Sequence, residues 1–174
     1  MSCRAIVEST QQKVLETIEL TAHLVGLAPD DKLEWRPVLA AAGIAATDLG
    51  HLLGHLLDCL AGFCAAFHAA FPAHLRDFDA LRSLTVNHLC SKEEALIRIE
   101  AYLTCIVRGF ECCTDQDLGR KLPTVFVPGG ETLMTILLGN LEHLINHKYQ
   151  LFFYLKLLGI PAGTQDLYKW RGPR

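Results

Sequence analysis

The sequence predicts an all-α protein, one four-helix bundle spanning residues 1–174. Three observations predict it. Four segments carry apolar residues at three-, four- and seven-residue steps, the period of one helix face. Their ends carry capping and breaking residues. Alternating apolar and polar residues, the mark of a strand, are almost absent; only Thr124-Val-Phe-Val-Pro128 looks extended.

Residues 4–25 form the first predicted helix. Val7, Val14, Leu15, Ile18, Ala22 and Val25 share one face, and Pro29 with the following Asp30-Asp31-Lys32 ends it. Residues 33–46 connect onward, with Trp35, Arg36 and Pro37 at the start. Thr47 is the expected N-cap of the second helix, which runs to Pro72 with Leu49, Leu53, Leu56, Leu60, Phe63 and Phe67 as its main stripe. Residues 73–90 read as a loop or broken helix. Ser91-Lys-Glu-Glu94 is a capping box opening a third helix to about Cys113. A Gly- and Pro-containing loop follows. The fourth helix runs from near Glu131 to Leu158, with Gly159 as its C′ stop and Pro161 beyond. Residues 164–170 add a short turn.

A chain of 174 residues fits one domain able to bury a core without disulfide staples. Hydrophobic residues make up 51 %, and the mean hydropathy of +0.24 excludes disorder. No uncharged apolar run reaches the roughly 18 residues of a spanning helix, and the polar N-terminus is unlike a signal peptide. A formal net charge of −3 without a basic block gives no nucleic-acid footprint. The 7 cysteines are odd in number and unpaired by zinc-finger spacing, which suits reduced thiols in a cytoplasmic protein.

Chemistry concentrates in two similar segments, His51-Leu-Leu-Gly-His55 and His143-Leu-Ile-Asn-His147. Residues four apart stand one above the other on a helix, so two imidazoles can reach one ion. In the fourth helix the pair falls in a seam with Ile136, Asn140, Leu151, Tyr154 and Leu158; Met134, Leu137, Leu138, Leu141, Ile145 and Phe152 form another stripe. Adjacent buried imidazoles need partners for their ring nitrogens, and a metal ion supplies one to both. His55 lies beside a secondary stripe of Leu52, Cys59 and Ala66, so it is the preferred third ligand. His51 and Cys59 stand as further candidates, and Asn146 and Gln150 as groups that orient a ligand ring. Three imidazoles leave a coordination position open, and nitrogen ligands suit several transition metals, zinc and nickel among them. A lone histidine on an apolar face is more often a hydrogen-bonded core residue than a ligand, so a non-catalytic helical dimer or ligand-binding protein without metal stands as the alternative. His23, His68, His74 and His88 read as surface or capping residues. No separate general base is apparent.

Leu33-Glu-Trp35-Arg-Pro37, Leu52-Leu-Gly-His55-Leu56, Gly130-Glu-Thr-Leu133 and His143-Leu-Ile-Asn-His147-Lys-Tyr-Gln150-Leu151 through Gly159 together resemble the DinB-like (DinB/YfiT) superfamily. That resemblance implies a bundle with a long crossover, a metal triad of His55, His143 and His147, and a homodimer. It implies a metal-dependent enzyme acting on a small molecule, a thiol S-transferase using a low-molecular-weight thiol or a hydrolase. The chain departs from the family pattern at Lys148-Tyr149, where Arg-Gly is usual, which bears on pocket shape rather than on the triad.

Overall fold

Capping side chains place the helix starts. Asp48, Ser91 and Thr132 each accept a backbone N–H three residues on, from His51, Glu94 and Thr135, satisfying groups that a helix start leaves unpaired. The computed structural model describes residues 4–37, 46–124 and 127–168. Its long helices are α1 (Ala5–Gly26) and α2 (Leu49–Ala70), then, after the one-and-a-half-turn α3 (Phe78–Arg82), α4 (Lys92–Cys112) and α5 (Leu133–Leu157). A short α6 (Thr164–Tyr168) closes the described chain.

The expected N-cap Thr47 is corrected by one residue. Asp48 caps α2 because its carboxylate reaches the His51 N–H at 2.9 Å, while the Thr47 carbonyl accepts the Tyr154 hydroxyl. The capping box at α4 is half formed: Ser91 Oγ accepts Glu94 N–H at 3.1 Å, but the Glu94 carboxylate turns to Arg98 and His88 instead. The stretch 73–90 contains α3. The expected extended run 124–128 includes Val125 and Phe126, which lie outside the described residues. A two-residue ladder forms just before and after it, β1 (Lys121–Leu122) antiparallel to β2 (Glu131–Thr132), with Leu122 opposite Glu131. Gly159 adopts φ +77° after α5, the left-handed stop expected of a C′ glycine.

Helix α2 packs against α4 on one side and α5 on the other, and α1 packs against the same two. α1 and α2 therefore occupy opposite corners. The whole expected α2 stripe is buried, from Leu49 to Phe67. By length and composition α2 could cross a membrane, yet 61 % of its most apolar stretch is buried inside the bundle, as a central core helix requires. In α5 the deepest stripe is Leu137, Leu141, Leu144, Leu151 and Leu155. Leu138, in the second apolar stripe, is 49 % exposed. The stripe with Asn140, His143 and His147 is half-buried at the edge of the core, where polar groups can meet a cleft.

Two features fix this packing. Arg4 reaches the C-terminal carbonyls of α4 at Phe110, Glu111 and Cys113, the pairing that a helix C-terminus favours. Gly109 of α4 lies against the Phe67 ring so closely that a Cβ would overlap it. The Phe67 ring is fully buried in the core and its own Cβ is among the atoms met, so it cannot move aside. Gly109→Ala is expected to destabilise the protein by about 1–3 kcal/mol, read as a lower urea midpoint with an unchanged slope.

Candidate metal centre

The α2–α5 contact brings three imidazoles together. His55 Nε2 lies 3.1 Å from His143 Nε2 and 3.0 Å from His147 Nε2. All three rings are partly buried and meet nearly edge to face, with centroids 4.3–5.0 Å apart. These are the residues the sequence singles out, and the structure places them at one point.

The outer nitrogens decide what the inner ones present. Tyr154 donates its hydroxyl to the Thr47 carbonyl at 2.8 Å, so its oxygen accepts from Gln150 Nε2 at 3.2 Å. That orients the Gln150 amide and leaves its Oε1, an acceptor, facing His147 Nδ1 at 2.8 Å. His147 therefore carries its proton on Nδ1 and presents a lone pair at Nε2. Asn87 Oδ1 lies 2.5 Å from His55 Nδ1, and the Asp58 carboxylate, an acceptor whichever way it is turned, stands 3.9 Å from the same atom; both favour a proton on His55 Nδ1. Two lone pairs then face each other at 3.0 Å. A shared cation resolves that opposition, and nitrogens bound to one transition metal at about 2.0–2.1 Å have such separations.

The supports reach back to the Leu33–Pro37 segment. Leu49 and Gly50, the first residues of α2, donate their N–H groups to the Trp35 and Leu33 carbonyls at 2.9 and 2.7 Å. Trp35 meets the Tyr154 ring edge-on at 5.5 Å, so the same motif seats both α2 and the hydroxyl that orients Gln150.

Asn87 comes from the loop between α3 and α4, and sequence reasoning missed it. Its φ of +57° is the left-handed conformation that Asn tolerates better than most residues. Its N–H bonds the Gly54 carbonyl at 3.2 Å. The next residue, His88, lies with its backbone where a Gly54 Cβ would be. Glycine inside a buried helix was the available signal: it marks where another backbone approaches closely.

Loop 83–91 is held from α4. Arg98 donates to the Thr85 carbonyl at 2.5 Å, to Glu94 at 3.1 Å and to the Tyr102 hydroxyl at 3.0 Å. His88 Nε2 meets the same Glu94 carboxylate at 3.0 Å. His88, Cys90 and Glu94 lie close enough to share an ion. Arg98 already balances the Glu94 charge, however, and burial pushes the Cys90 thiol up to about 12. That cluster works as a loop clamp.

The remaining candidates separate. His51 is exposed and bound to its own cap, Nδ1 to Asp48 Oδ1 at 2.7 Å; this corrects its candidacy as a ligand, since its ring is committed to the helix start. Cys59 lies near His55 and His143, fully buried, with its thiol pushed up to about 12 by burial and by Asp58. Of the two expected orienting residues Gln150 holds His147, whereas Asn146 is exposed. Lys148 and Tyr149 face α6: Lys148 Nζ donates to the Leu167 carbonyl at 3.2 Å, and Tyr149 bonds the Tyr168 hydroxyl. Tyr149 thus does not line the cleft beside the histidines.

That cleft has a volume of about 360 Å³. His143, Asn140, Asp58 and Arg82 supply polar groups, and Ala61, Ala65, Phe78, Leu81, Leu84 and Val86 form apolar wall. Asp58 stands one turn beyond His55, its carboxylate 3.9 Å from His55 Nδ1. A single acid on a helix looks like a solvated residue in sequence, and only the cleft gives it a role.

No family model matches the sequence, and no curated protein matches it. Among solved structures, the DinB-like protein YjoA of Bacillus subtilis is similar over 88 % of this chain and 94 % of its own, with a TM-score of 0.65 and 17 % identity. The fold is DinB-like. In this DinB-like bundle, His/Cys groups able to hold a metal fall between α2 and α5.

Burial lowers the pKa of both His143 and His147 below 6.5, helped by the neighbouring His55. Their protons then bind the unfolded chain more readily than the folded one. Stability is complete above the unfolded value and falls as pH drops through about 6.5. In the presence of a chelator, the urea midpoint is expected to fall between pH 7.5 and pH 5.5. In His143→Leu/His147→Leu protein this part of the pH dependence should vanish.

Proposed function

We propose that His55, His143 and His147 bind one divalent transition metal, zinc or nickel, and that the protein is a metal-dependent enzyme of the thiol S-transferase or hydrolase class. The observation that carries this reading is the convergence of three ring nitrogens, His55 Nε2 lying within 3.0–3.1 Å of both His143 Nε2 and His147 Nε2, with a side-chain amide oxygen at the outer nitrogen of His55 and of His147. Three neutral nitrogens leave room for a further ligand, the pattern of reactive rather than closed structural sites. A metal there supplies a Lewis acid that makes a water or thiol acidic at neutral pH.

The chain's own groups account for the rest. Gln150 and Asn87 hold two rings in the binding tautomer. Asp58 lines the cleft beside His143 and would accept a proton from a water or thiol nucleophile. The apolar wall holds the body of a small substrate. Solvent reaches the site through the cleft, as turnover requires.

Metal analysis tests the reading. Native protein is expected to carry about one equivalent of transition metal per chain by elemental mass spectrometry, and His147→Ala to lose it. Equal content in both defeats the proposal. Gln150→Leu keeps all three imidazoles but frees the His147 ring, and is expected to weaken metal affinity about 10–100-fold in a competition assay with a chromogenic chelator.

A further inference from the structure

Beside the histidines, one buried polar group has no partner that the fold explains. Asn140 lies on α5 three residues before His143, and both line the cleft. Its Nδ2 is buried without a hydrogen-bond partner. An unpaired buried donor costs roughly 1–3 kcal/mol, so a purely structural position would favour an apolar residue.

The surroundings are shaped around this amide. Gly62 of α2 lies opposite, and a Cβ there would stand 2.8 Å from Asn140 Oδ1. Glycine at that point leaves the amide room to turn. The terminal torsion of Asn is soft and Asn140 lines the cleft, so a ligand there can draw Nδ2 toward itself. Ala61, Ala65, Phe78 and Leu81 give that cleft an apolar wall.

We infer that Asn140 is a specificity-determining residue, donating through Nδ2 to a neutral carbonyl oxygen, amide or ester, on a small ligand whose apolar body lies on the Ala61, Ala65, Phe78 and Leu81 wall. A neutral acceptor fits better than a carboxylate. The donor is uncharged, and the two charged residues that line the cleft, Asp58 and Arg82, carry opposite signs, so the cleft's own charge favours neither an anion nor a cation. Residues three apart on a helix have Cβ atoms roughly 5–6 Å apart, so the carbonyl lies a few bonds from the atom that reaches His143. The inference rests on the proposed function for the identity of that reacting end, but the Asn140 contact itself needs no metal.

Hexanamide, hexanoate and hexylamine serve as probes, titrated into chelator-treated full-length protein by ligand-observed NMR. Hexanamide is expected to bind more tightly than the other two. Asn140→Leu should weaken hexanamide about three- to tenfold, the range of one hydrogen bond, with hexylamine unchanged. The same variant should unfold at an equal or higher temperature, since it removes an unpaired donor; a structural Asn would give the opposite. In wild-type protein the Asn140 side-chain amide resonance should shift with hexanamide and not with hexylamine, a readout independent of any variant. No hexanamide binding, an unshifted amide, tighter hexanoate binding, or undiminished binding to Asn140→Leu overturns the inference. Because the protein is metal-free, these outcomes stand apart from failure of the metal reading.

Discussion

The opposition of lone pairs between α2 and α5 is the constraint around which the rest of this structure is arranged. A hydrogen bond between two imidazoles needs a donor on one side. His55 and His147 have spent their ring protons outward, on Asn87 and Gln150, and meet as two acceptors. In a partly buried site that arrangement is unfavourable without a cation, because low dielectric strengthens repulsion as well as attraction. The bundle holds it in place from several directions. Thr47 sets the Tyr154 hydroxyl, Tyr154 sets Gln150, and Gln150 sets His147. From the other side, Arg98 and Glu94 fix loop 83–91, and the left-handed Asn87 reaches His55 from it.

Small residues on α2 make that approach physically available. Gly50 receives the Leu33 carbonyl and bonds Cys90 through its own; Gly54 receives the His88 backbone; Gly62 leaves space for the Asn140 amide. The three lie along a helix whose leucine and phenylalanine stripe, Leu49 to Phe67, is buried. α2 thus has two tasks. Its apolar stripe holds α4 and α5 in place, and its glycines let a loop and a polar side chain come close. A methyl group at Gly54 would be tolerated by helix propensity and rejected by the His88 backbone, whereas at Gly50 and Gly62 it would have to displace the ends of the Leu89 and Asn140 side chains.

Much of this is visible in the sequence, for definite reasons. The His143/His147 pair is legible because helix geometry alone puts residues four apart on one face, and His55 is legible because the α2 stripe orients it inward. Gln150 is legible as a polar residue one turn past a candidate ligand. Asn87 is not, because its role depends on a loop conformation with positive φ and on docking to a glycine 33 positions earlier. Asp58 and Asn140 are not, because their meaning depends on the register between helices distant in sequence. The misplaced cap has a similar origin. Thr47 and Asp48 are both good caps, and the choice fell to Asp48 once Tyr154 engaged the Thr47 carbonyl. The exposure of Leu138 is not legible, because a helix apolar on several sides does not reveal which side faces water.

The most direct test of the central claim is crystallographic. An anomalous difference map recorded across the absorption edge of the metal found in the native protein should show one peak between α2 and α5, about 2.0–2.1 Å from the Nε2 atoms of His55, His143 and His147. A map without a peak there, or with its peak at His88, Cys90 and Glu94, would contradict the account.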